Sequence, residues 1–495
     1  MKTRGRRSPA PFELALREGD ELFELNRFGH FLLVSETGVH LGRSRRANES
    51  TFISHESITH VAHHRRTLSL ATRQGLHVVV RGRRRPVAFG EVHDAIERRI
   101  ARLPGGLQQL SRFRELDQRQ QQAGLPWVTS TVVGICLVLH LLQVSDPFVS
   151  EVGAFVRELV GQGEYWRLVT AHFLHDATWS FSATEMDAAV PLLFRLPFHI
   201  VLNCLLASLL GWLVEPALGR LRTVWVLGMA AFGANLLCAL FQTPPMLGAS
   251  GLVLGLAGAL LALEVSVPER LPATWRVPRR TLLLALALQA VGDWFLPFIA
   301  WAAHLGGFLG GYTAGRLVAK PAARRDRAPS WLRGAVAALA GVFVLGVAGM
   351  APLVMRMGWA FNDHARHVLA LPDPTSFTLN NLAWRMATET DVLGVAPAPA
   401  LALAQRAVGE SGRSNPDYLD TLAEIQFGAG DAASAVETIE EAIELAPGDA
   451  YFAAQRDRFT GRRAAGDRPA SPPLPWFLRG PAGPPRWVED DGLDI

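Results

Sequence analysis

At 495 residues, with 49% hydrophobic content and a positive mean hydropathy, the chain has the length of about three units and the composition of a membrane protein with soluble appendages, which excludes a purely soluble reading. A net charge of only +4, with basic residues spread over many loops, excludes a nucleic-acid binder, so no nucleic-acid partner is expected. The three cysteines, Cys136, Cys204 and Cys238, all fall inside apolar segments, which argues against a disulfide framework.

The start, Met1 to Arg7, is basic but no apolar stretch follows it, so no cleavable signal peptide is expected and the first apolar helix must direct membrane insertion. Residues 10–104 read as a β-rich domain. Short alternating runs predict strands over Glu21–Leu25, His30–Ser35, Val39–Gly42, Ile58–Ala62, Leu68–Thr72 and Leu76–Arg81, separated by turn signals such as Thr37-Gly38 and Gln74-Gly75. A helix over Glu91–Leu103 carries Val92, Ile96 and Ile100 on one stripe. A small antiparallel sheet closed by one helix resembles a pleckstrin-homology-type domain. His55, His60, His63 and His64 cluster in sequence, but no cysteine or paired carboxylate completes a ligand set, so no metal and no cofactor are expected. Residues 105–125, rich in Gln and Arg, read as a polar linker.

Seven apolar segments approach the ~20 residues a bilayer needs: Trp127–Val144, Leu196–Val214, Val224–Phe241, Gly251–Val267, Thr281–Phe298, Ala302–Ala319 and Ala335–Val354. With the N-terminus cytoplasmic, fifteen basic residues between Arg112 and Arg333 fall on inner flanks and five, from Arg157 to Arg366, on outer ones. That asymmetry predicts a cytoplasmic β-rich domain and, after seven spans, an extracytoplasmic C-terminal region.

The same orientation brings three polar groups to one depth near the outer face: Ser250 at the head of the fourth segment, His304 on the sixth and His199 on the second. A serine hydroxyl is a poor nucleophile until a base removes its proton, and histidine titrates near working pH, so Ser250 with His304 meets the minimum for acyl transfer. The backbone N–H of Ser250, at a helix N-terminus, supplies one donor for a developing oxyanion. His199 and Asn203 stand at i and i+4, on one helix face. Gly251, Gly255 and Gly258 on segment four, with Gly307 and Gly311 on segment six, make small-residue faces that let two backbones approach. Asp293, late in segment five, reads as a solvated or helix-end residue.

Trp166-Arg167, His199-Ile200-Val201-Leu202-Asn203, Gly248-Ala249-Ser250-Gly251 and Ala303-His304-Leu305-Gly306-Gly307 together resemble the rhomboid family of intramembrane serine proteases, over roughly residues 126–320. The resemblance implies a six-helix core, here plus a seventh helix at 334–355, in a multi-pass α-helical membrane protein of a bacterial inner membrane. It implies a serine endopeptidase using a Ser250–His304 dyad, with His199 and Asn203 joining the Ser250 N–H as oxyanion donors. It also implies a structural loop around Trp166 and Arg167, in which Arg167 bonds backbone carbonyls. Its substrates would be transmembrane segments of other proteins, met within the lipid bilayer. The alternative is a catalytically silent rhomboid-like scaffold, from which an intact Ser250 and His304 distinguish this chain. The sequence departs from the family pattern in the inserted residues 176–197 and at Leu254, where an aromatic ring often stands beneath the catalytic histidine.

Residues 376–462 read as two helix hairpins and a capping helix, Leu379–Glu389, Pro399–Ser411, Pro416–Gly430, Ala432–Ala446 and Ala450–Thr460. Leu382-Ala383-Trp384 is echoed by Leu422-Ala423-Glu424, and the whole resembles tetratricopeptide repeats, which implies an all-α repeat domain able to take a protein partner. The proline-rich tail from Arg463 reads as disordered.

Overall fold

A computed structural model describes residues 19–25, 30–43, 51–64, 66–80, 88–175, 198–241, 245–296, 300–389 and 397–470. The chain divides into two compact units, Met1–Arg157 with Arg167–Gly346, and Glu158–Trp166 with Val347–Ile495. The nine residues Glu158–Trp166 therefore cluster with the C-terminal helices, although in sequence they sit inside the expected 126–320 core.

The first unit opens with two antiparallel sheets. Strands β1 (Glu21–Glu24), β2 (His30–Val34), β3 (Gly38–Arg43) and β4 (Thr51–Ser54) form one, and β5 (Ile58–His64), β6 (Thr67–Thr72) and β7 (Leu76–Val80) the other. Alternation sends Leu32, Val34, Val39 and Ile53 of one sheet and Val61, Leu68 and Leu70 of the other into one core. Helix α1 (Phe89–Ala101) closes it with Val92, Ile96 and Ile100, all fully buried, as their spacing predicts. The segment expected as a linker is instead a helix, α2 (Gly106–Gln121), because Leu110, Phe113 and Leu116 recur at three-residue spacing and bury.

Two buried side chains fasten the β-rich part to the loop after the Ser250 helix. His60 accepts at Nδ1 from the Ala273 N–H (3.0 Å) and faces Asp117 Oδ1 through Nε2 (3.3 Å). Arg276 binds the Glu264 carboxylate through Nε and Nη2 and donates from Nη1 to the Thr72 carbonyl (2.8 Å). His60 is thus a structural bridge.

All seven expected apolar segments are helices: α3 (Trp127–Ser145), α7 (Phe198–Leu218), α8 (Arg220–Phe241), α9 (Ser250–Ser266), α10 (Arg279–Phe295), α11 (Trp301–Ala323) and α12 (Ser330–Val354), with the short α4 (Phe148–Gly153), α5 (Arg157–Gly161) and α6 (Arg167–Thr170) between the first two. Four of them, α3, α7, α8 and α12, are long and apolar enough to cross a membrane, and α9 is a shorter apolar helix. Helix α9 is buried along most of its length, so it forms the centre of this bundle. Helix α10 is its opposite, with Leu282 its sole buried residue. The inserted residues 176–197 lie outside the described residues.

In the second unit, α13 (Gly358–Leu369) precedes α14 (Ser376–Thr388), α15 (Pro397–Glu410), α16 (Pro416–Gly428), α17 (Ala432–Leu445) and α18 (Ala450–Phe459). Side chains of Thr375, Asn415, Asp431 and Asp449 cap four of these helices, satisfying first-turn N–H groups. Helices α14 and α15 pack as one neighbouring pair and α16 and α17 as another, with Leu382, Leu403, Leu422 and Ile439 buried. Glu164 is fully buried here and receives His364 Nδ1 (2.7 Å) and His367 Nδ1 (3.0 Å). The tail expected from Arg463 to be free of structure is pinned at its start, since Arg468 binds buried Glu424 (3.1 Å); beyond residue 470 it lies outside the described residues.

Candidate active site

Helix α9 starts at Ser250 because the chain turns sharply just before it. Gly248 has φ +127°, a conformation that glycine adopts without strain. Two backbone donors moor this turn: the Gly248 N–H reaches the Ala171 carbonyl (2.8 Å) and the Ala249 N–H reaches His175 Nε2 (3.3 Å). Burial first, and then neighbouring His199, push His175 down to about 3, which keeps its ring neutral and able to accept. The ring of His175 also meets that of His199 edge-on at 5.1 Å, and the His175 backbone N–H donates to Gln143 Oε1 (2.9 Å). Gln143 is a contributor to this turn that sequence reasoning passed over.

His199 and Asn203 share the face of α7 that borders this turn. A Cβ built on Gly248 would fall 2.8 Å from His199 Cε1, 2.9 Å from its Nε2 and 3.9 Å from Asn203 Nδ2. Two side-chain nitrogens thus converge on the backbone two residues before Ser250. The Ser250 N–H is itself a first-turn donor without an intrahelical partner, at the positive end of α9.

His304 stands in the first turn of α11 and is buried. The helix that carries it is in backbone contact with the helix that carries Ser250. A Cβ on Gly251 would lie 3.3 Å from the Ala303 carbonyl oxygen, and one on Gly307 only 2.1 Å from that of Gly251. The residues flanking Ser250 and His304 therefore touch. Farther down, a Cβ on Gly311 would fall 2.1 Å from the Gly255 carbonyl oxygen.

Asp293 is neither solvated nor a mere helix end. Its Oδ1 lies 2.8 Å from His304 Nδ1, with the two side chains 12% and 9% exposed, and Gln289 Nε2 donates to the same oxygen at 2.8 Å. The available signal was a carboxylate in an apolar segment, which by default marks function.

Arg167, fully buried, donates from Nη1 to the carbonyls of Glu151 (2.8 Å) and Ala154 (2.7 Å). Trp166 lies instead against Gly349, where a Cβ would come within 3.1 Å of its own Cβ.

Residues 190–321 match the family described as Rhomboid domain. The chain is 29% identical over 185 residues to RHOMBOID-like protein 5 of Arabidopsis thaliana, covering 35% of this chain and 51% of that relative. It is 31% identical over 178 residues to RHOMBOID-like protein 1 of the same plant, covering 35% and 40%. To Rhomboid protease GluP of Bacillus subtilis (strain 168) it is 27% identical over 223 residues, covering 43% and 39%. The chain spans about half the length, or less, of these relatives. The matched segment of this multi-pass membrane protein runs from just before α7 almost to the end of α11 and holds Ser250, His304, His199 and Asn203, so this part of the chain is similar to a rhomboid domain.

Proposed function

We propose that this protein is an intramembrane serine endopeptidase that cuts transmembrane segments of other membrane proteins. Ser250 Oγ attacks the scissile carbonyl while His304 Nε2 takes its proton, then returns it to the leaving amine; water later releases the acyl group by the same base. The developing oxyanion is met by the Ser250 N–H and by the side chains of His199 and Asn203. A substrate helix has its backbone groups satisfied internally, so it must unwind locally before a carbonyl can reach Ser250, which favours helices with a weak top.

The observation that carries this reading is the backbone contact between the residues flanking Ser250 and His304, beside a turn that His199 and Asn203 both face. Cleavage of a model transmembrane substrate in proteoliposomes tests it. Ser250→Ala and His304→Ala each abolish cleavage, and the double variant is no worse, because residues acting as a unit are not additive. Cleavage by Ser250→Ala near the wild-type level overturns it.

The charge asymmetry supports an orientation with the β-rich region cytoplasmic and the C-terminal helices, proposed as tetratricopeptide-like repeats that take a protein partner, on the side of Ser250. A cysteine at Ser414 then reacts with an impermeant maleimide in intact cells and one at Glu56 does not; the reverse pattern overturns the orientation.

A further inference from the structure

The dyad chemistry calls for no carboxylate, yet one is fixed against the back of the base. His304 Nδ1 and Asp293 Oδ1 are 2.8 Å apart, and Gln289, one turn earlier on α10, donates from Nε2 to that same oxygen at 2.8 Å. An ionised carboxylate only accepts, so a nitrogen at this distance must carry the proton between them. The approach of Gln289 Nε2 to His304 Nδ1, 3.3 Å, is then a by-product of two donors sharing one acceptor. A proton on Nδ1 leaves the lone pair on Nε2, the one tautomer in which His304 can accept from a serine hydroxyl.

We propose that Asp293 is a positioning residue that turns the Ser250–His304 pair into a Ser250–His304–Asp293 triad, with Gln289 holding the carboxylate in place. The proposal rests on the reading of Ser250 and His304 as the catalytic pair. Asp293 does three things at once: it selects the tautomer, sets the ring plane, and places a negative charge beside the imidazolium that forms as Ser250 attacks. Its carrier, α10, buries only Leu282 among its seventeen residues, so the orientation of the base depends on a helix with little other anchorage. The outer end of α10 must be seated for His304 to be held ready.

The test uses the full-length protein in detergent with a model transmembrane substrate, comparing wild type, Ser250→Ala, Asp293→Asn, Asp293→Glu and Gln289→Ala. Asp293→Asn lowers kcat by roughly ten- to a thousandfold with KM nearly unchanged, by analogy with tautomer loss in serine hydrolases. Asp293→Glu regains part of the kcat, which a purely structural role would not give. Gln289→Ala, which keeps the carboxylate but frees it to swing, shows a smaller kcat loss and carries the test if Asp293→Asn does not fold. If wild type cleaves and Ser250→Ala does not, while Asp293→Asn keeps the wild-type kcat, the triad is overturned and the dyad stands. If Ser250→Ala cleaves as wild type does, the dyad itself falls.

Discussion

Gly307 on α11 faces Gly251 on α9 so closely that a side-chain carbon on Gly307 would sit 2.1 Å from the Gly251 carbonyl oxygen. The neighbours of this pair in sequence include Ser250 and, one turn away, His304, so the separation of α9 and α11 sets the spacing on which the proposed dyad depends. Gly307→Ala should push the helices apart, costing about 1–3 kcal/mol as overpacking does, and should lower turnover far more than an exposed glycine would. Gly134→Ala is the control, since nothing lies within 4 Å of a Cβ there. Thermal unfolding and turnover of the two variants in one detergent check this; equal behaviour would show that α9 and α11 tolerate separation.

The oxyanion assignment makes a separate demand. His199→Ala and Asn203→Ala should each slow turnover by roughly ten- to a thousandfold while KM changes little, because their donors act on charge that exists only in the transition state. Steady-state kinetics on both variants decide it. A raised KM with kcat intact would reassign that residue to packing between α7 and the Gly248 turn.

Much of this was legible in the chain because the physics is local. Val92, Ile96 and Ile100 announce a helix stripe, and seven apolar runs become seven helices. The glycines of α9 and α11 mark a close approach. What escaped is tertiary. Strand β4 is only four residues, its first two exposed, and its place is set by pairing with β3 rather than by its own pattern. Helix α2 hides three apolar residues among Gln and Arg, a composition that reads as linker until Phe113 finds the sheet core. Asp293 stands eleven residues before His304, and a hydrogen bond across two helices leaves no periodicity to read.

Stability of the C-terminal helices should fall as pH rises from about 4 to about 7. Burial pushes Asp420 up to about 7 from an ordinary 3.8, against the opposing hydrogen bonds from Gln455 and Tyr451. Between those two values the folded form holds a proton that the unfolded form has lost, so stability is greatest below about 4, declines with pH, and levels off above 7. Asp420→Asn removes the dependence. Hydrogen exchange in α16 and α18, corrected for intrinsic rates, measures it, and a slope unchanged in Asp420→Asn would show that another group is responsible.

The central claim is that Ser250 is a nucleophile activated by His304. Labelling the purified protein in detergent with a fluorophosphonate probe tests this without any knowledge of the natural substrate, because the probe traps a serine only when its hydroxyl is activated. The account predicts labelling of wild type, loss of label in Ser250→Ala, and a marked slowing in His304→Ala. Equal labelling of wild type and Ser250→Ala, or no labelling of a folded wild-type protein at any probe concentration, would contradict it.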